Sequence, residues 1–78
     1  MKLATINFIH ELLKREVETL EAEMESIYEA LTKLEDENFY SSNPDIKRHE
    51  VLLRQYEEAK DAFHTATLAL EEFENKDF

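Results

Sequence analysis

Apolar side chains recur along this chain at alternating steps of three and four. In the first half the series is Leu3, Ile6, His10, Leu13, Val17, Leu20, Met24, Ile27, Leu31, Leu34 and Asn38. In the second half it is His49, Leu52, Tyr56, Ala59, Phe63, Ala66, Leu70 and Phe73, with Leu53 widening the stripe. This spacing keeps one side of an α-helix apolar and forms the seam of a coiled coil. It predicts two helices, over about residues 4–37 and about 44–74. Between them, Asp36-Glu37-Asn38-Phe39-Tyr40-Ser41-Ser42-Asn43-Pro44-Asp45 breaks the pattern. Pro44 suits the first helical position, where no N–H is needed, and Asn43 suits the cap before it. Asp45 falls near the positive end of the second helix. A loop of about 38–43 makes the helices antiparallel neighbours. The expected fold class is therefore all-α, a two-helix antiparallel hairpin forming a single domain over residues 1–78.

One hairpin leaves apolar surface over. A compact chain of 78 residues buries only about 60% of its unfolded surface, and an elongated one buries less. Self-association or a partner is the default expectation. The open end is where the surplus lies. Leu3, Ile6, Phe8, Ile9, Leu12 and Leu13 make the start of the first helix apolar almost all round. The second helix brings Ala62, Ala66, Leu68, Ala69, Leu70 and Phe73 to the same end. A single partner helix cannot cover Phe8, Leu12 and Leu68 as well as the seam, and a helix apolar on all sides expects burial on all sides. The alanines would let another helix approach closely. The expected interface is thus Leu3, Ile6, Phe8, Ile9, Leu12 and Leu13 with Ala62, Ala66, Leu68, Ala69 and Phe73. Its occupant is a second copy, giving a dimeric four-helix bundle, or another protein.

Charge narrows the function further. Lys and Arg number 9 against 19 Asp and Glu, for a net charge of −10. Direct nucleic-acid binding is not expected, because phosphate contacts need Lys and Arg. With no Gly there is no Gly-rich phosphate loop, and with no Cys there is no disulfide, thiol chemistry or Cys-bound zinc. Six acids, Glu16, Glu18, Glu21, Glu23, Glu25 and Glu29, follow one another without an intervening base. They are expected to form an acidic face, partly answered by Arg54 and Lys60 on the opposite helix. Its plain role is solubility. Its sharper role is to imitate a nucleic-acid phosphate array and block the basic site of a nucleic-acid-binding protein. The pairs Glu11–Arg15, Glu29–Lys33, Glu50–Arg54 and Glu72–Lys76 have the i,i+4 spacing that supports a solvated helix.

Other chemistry finds no foothold. His10-Glu11-Leu12-Leu13-Lys14 opens like a helical zinc-protease motif, but Lys14 stands where the second His is required. Asp61 and His64 have the i,i+3 spacing used in di-iron bundles, without the second set such a site needs. No metal, cofactor or small-molecule ligand and no catalytic group is expected. His10 and His49 interrupt the seam near opposite ends of the hairpin; polar seam residues specify register, and a buried His can also make an interface pH-sensitive. Phe39 and Tyr40 are expected to fold back over the end of the seam with Leu34 and Ile46. Neither a signal peptide nor a membrane span is read in the chain, which sets the expected location in the cytoplasm.

In pattern, two heptad runs joined by a short turn, the chain resembles the small helical-hairpin dimers such as plasmid copy-control RNA-binding proteins. The resemblance implies a dimeric four-helix bundle. It does not carry RNA binding with it, because the basic exposed helix face is missing. The expected function is a non-catalytic protein–protein interaction module. The alternative is an acidic inhibitor of the nucleic-acid-mimic kind, as in phage or mobile-element anti-defence proteins.

Overall fold

The computed structural model describes residues 2–76. Two α-helices, α1 (Leu3–Phe39) and α2 (Ile46–Glu74), lie antiparallel with extensive contact, and there is no strand among the described residues. The chain is an all-α helical hairpin. It is a rod, 62 × 14 × 14 Å across its Cα atoms, with a radius of gyration of 17.8 Å. A compact chain of this length would have about 11–12 Å. None of its helices is long and apolar enough to cross a membrane, among the described residues.

The seam follows the three–four alternation. From Ile6 to Asn38 in α1, and from His49 to Phe73 in α2, each seam position is half-buried or buried. Leu31 and Leu34, near the closed end, are the deepest at 5% and 7% exposure. Leu3 is the exception and stands in solvent. The register explains it. His10 is opposite Phe73 and Glu74, Tyr28 opposite Tyr56, and Glu35 opposite His49. α2 ends at Glu74, so the first turn of α1 has no helix beside it.

The loop differs from its expected form. Asp45, not Asn43, is the N-cap of α2, and its carboxylate accepts a 3.0 Å hydrogen bond from the Arg48 N–H. Asx side chains cap by reaching the third residue on, and Asp45 makes that bond directly. Pro44 therefore sits before the cap instead of inside the helix. Asn38, the last seam residue, clasps the loop: its Oδ1 accepts from the Asp45 N–H at 3.0 Å and its Nδ2 donates to the Asp45 carbonyl at 3.3 Å. The Asn43 N–H donates to Ser41 Oγ at 3.1 Å. With the turn closed by polar bonds, the aromatic pair has no apolar floor to fold onto. Phe39 and Tyr40 are each 80% exposed, packed edge-to-face on one another with centroids 5.0 Å apart, and Ile46 is exposed beside them. The expectation that they cover the seam is thus corrected.

Candidate interaction surface

The eleven residues expected to form an interface divide into two groups. Ile6, Leu13, Ala66 and Phe73 are half-buried in the seam between α1 and α2, and Ile9 is half-buried beside it. They are largely committed to the hairpin itself. Leu3, Phe8, Leu12, Ala62, Leu68 and Ala69 remain exposed. Phe8 and Leu12 stand at 64% and 47% exposure, one turn apart on α1. One more turn along that row is Glu16, since residues four apart lie one above the other on a helix. Glu16, with Leu20, lines a shallow groove whose other wall is Asp61, Ala62, Thr65, Ala66 and Ala69 of α2. The exposed open half therefore carries large apolar side chains on one helix and a small-residue trough on the other, along the same flank.

The opposite flank has a different character. A second groove is lined by Met24, Glu25, Tyr28, Glu29 and Tyr56. Its floor is the Tyr28–Tyr56 pair, ring centroids 5.8 Å apart and tilted at 47°. Seam spacing alone does not single out Tyr28, because it stands next to the seam residue Ile27; its i,i+4 relation to Met24 is the signal that could have placed it there. The six acids do not share one face. A period of 3.6 residues carries Glu18, Glu21, Glu25 and Glu29 along one stripe, toward the tyrosines, and swings Glu16 and Glu23 to the alanine side. All six are exposed. Arg54 and Lys60 do not answer them. Among the described residues the ion pairs within 4 Å are Glu11–Lys14 at 3.8 Å, His10–Glu74 at 2.9 Å and His49–Glu35 at 3.7 Å. The four expected i,i+4 pairs are not formed, and Glu11 turns to Lys14 instead of Arg15.

Both seam histidines bridge the helices. His10 stacks on Phe73, centroids 6.0 Å apart and 16° from parallel, while its Nε2 reaches Glu74. His49 faces Glu35. Each histidine therefore meets a Glu across the seam, His10 with Phe73 as well. Among the described residues no three His, Asp or Glu side chains gather where a metal could sit, and Asp61 and His64 are exposed on α2.

No protein-family model, no curated protein and no solved structure matches this chain.

Proposed function

We propose that the chain is a small, non-catalytic protein–protein interaction module that works in the cytoplasm and binds through the apolar flank of its open half. The observation that carries this reading is the exposure of Phe8 and Leu12, with Leu3 and Leu68 at the same end. Single exposed apolar residues are ordinary, but Phe8 and Leu12, one turn apart beside a small-residue trough, mark a contact surface. The N-terminus of α1 supports it. Lys2 is the N-cap and makes no side-chain capping bond, and its charge opposes the helix dipole. That first turn lacks the local support a free helix end ordinarily has, and a bound partner would supply it.

The test is a photo-crosslinking residue placed at Leu12 in producing cells, with the same residue at exposed Glu58 as control. An adduct from position 12, of any partner, is expected. No adduct from position 12, or equal adducts from both positions, refutes the reading.

A second reading has its own observation. Glu18, Glu21, Glu25 and Glu29 form an exposed stripe with no ion pair within 4 Å. Such a stripe would dock on the basic groove of a nucleic-acid-binding protein and block it. Binding would weaken steeply with salt, and Glu18→Gln/Glu21→Gln/Glu25→Gln would abolish inhibition. Full inhibition by that variant refutes it.

A further inference from the structure

We infer that the occupant of the open-half flank is a second copy of this chain, seated with both open ends together so that α1 of each copy lies against α2 of the other. The inference rests on the interaction reading above and names its partner.

Three observations carry it. The first is area. The chain exposes 6288 Å², whereas a compact monomer of 9.3 kDa would expose about 5,000 Å². The excess of about 1,300 Å² is spread along the whole 62 Å rod; covering half of it on each of two copies buries about 1,300 Å², inside the range of specific interfaces. The second is shape. A two-fold interface must be self-complementary, with residue i of one copy meeting j of the other and j meeting i. This flank has both halves of such a fit. Phe8 and Leu12 project from α1, while Ala62, Thr65, Ala66 and Ala69 form a trough on α2. With α1 laid on the partner's α2 at the same level, Leu12 of each copy comes beside the Ala69 end of the other's trough and Glu16 beside Thr65 and Ala69, while Phe8 reaches past the end of the partner's α2. The third is charge. α1 carries ten acids and three bases, and α2 seven acids and four bases. An arrangement that set α1 on α1 would oppose the two most acidic helices. Setting α1 on α2 avoids it, and brings Glu16 and Glu23 toward the less acidic helix, whose one acid lining the trough among the described residues is Asp61.

The chain has no cysteine, so a single introduced thiol reports cleanly. Two variants, Leu12→Cys and Ala69→Cys, are mixed and treated with a short bismaleimide; each link then joins two molecules. A second mixture, Glu16→Cys with Thr65→Cys, keeps Leu12 and Ala69 in place and guards against a substitution that itself weakens the dimer. Unmodified chain is weighed by light scattering behind a sizing column from about 1 to 100 µM at low and high salt. The expected result is twice the chain mass, mixed links in excess of 12–12 and 16–16 links, and a dimer that tightens as salt rises, because copies of like charge repel less when screened. Links dominated by 12–12 and 16–16 overturn the arrangement. A monomer at 100 µM overturns the second copy as occupant. In that case an adduct of another mass from the photo-crosslinker at position 12 leaves the interaction reading standing, and no adduct removes both.

Discussion

Leu31 is the most deeply buried residue of the hairpin, at 5% exposure, and Leu31→Ala is the perturbation whose size follows most directly from the structure. Truncating a buried Leu to Ala costs about 2–5 kcal/mol, the spread reflecting how far the site collapses. A two-helix rod gives the cavity an open flank, so the low end applies, about 2–3 kcal/mol. A chain of this length is held by about 4–12 kcal/mol in total. The substitution therefore removes a quarter or more of the stability at the midpoint of that range. For a small domain each kcal/mol moves Tm by about 4–8 °C, so Tm falls by about 8–24 °C.

The assay is far-UV circular dichroism during a thermal melt, with Val51→Ala as the matched control. Val51 is also on the closed half but lies off the seam and is exposed, so its truncation should stay within about 0.5 kcal/mol. A Leu31→Ala midpoint no lower than that of Val51→Ala would refute the reasoning: the seam would not be where this chain holds its stability, and the antiparallel register would be wrong with it.

Three more outcomes are expected. Phe8→Ser/Leu12→Ser removes side chains whose exposed 64% and 47% would be buried on assembly; at about 1.5–3 kcal/mol per fully buried side chain, this weakens a dimer at least about a hundredfold while leaving helicity intact. Unchanged mass at 10 µM, read by sedimentation equilibrium with about tenfold dilutions on either side, would contradict it. Asn38→Ala breaks both bonds to the Asp45 backbone and Asp45→Ala the cap bond to Arg48; each costs about 1–2 kcal/mol, and the double variant costs less than the two together because they hold one loop. Urea unfolding of the three variants measures this, and a fully additive double variant counts against the shared clasp. Phe39→Ser/Tyr40→Ser leaves Tm within a few degrees, since the rings are 80% exposed and surface changes stay near 0.5 kcal/mol; a drop as large as that of Leu31→Ala would mean the rings cover the seam in solution.

The helices were legible because one signal, the three–four alternation, reports burial directly. It ran true for every seam position but Leu3. There the pattern continues while the partner helix has ended, a fact set by register and loop length that no position on α1 encodes. The loop departs from its local signals for a related reason. Pro44 at the first helical position is a sound local rule, but Asn38 reaches across to hold Asp45, and a contact from seven residues away outweighs the local preference. The same clasp leaves Phe39 and Tyr40 without a surface to fold onto. For the acids, adjacency along the chain does not become adjacency in space. At 3.6 residues per turn, six acids within two heptads go round the helix, and the grooves of Glu16 and of Glu25 lie on opposite flanks.

That division of the acids bears on both functional readings. A dimer formed on the alanine flank takes Glu16 and Glu23 toward its interface and leaves Glu18, Glu21, Glu25 and Glu29 on its outside, once per copy. Self-association and acidic docking therefore use different flanks and do not compete. A dimer would present two such stripes related by its two-fold axis, a longer array than one hairpin offers to a basic groove. Salt separates the two contacts by sign. Screening removes repulsion between copies of net charge −10 and strengthens the apolar contact, whereas it weakens any contact between the stripe and a cationic partner. In one salt titration, mass that rises reports the alanine flank, and inhibition that fades reports the glutamate stripe.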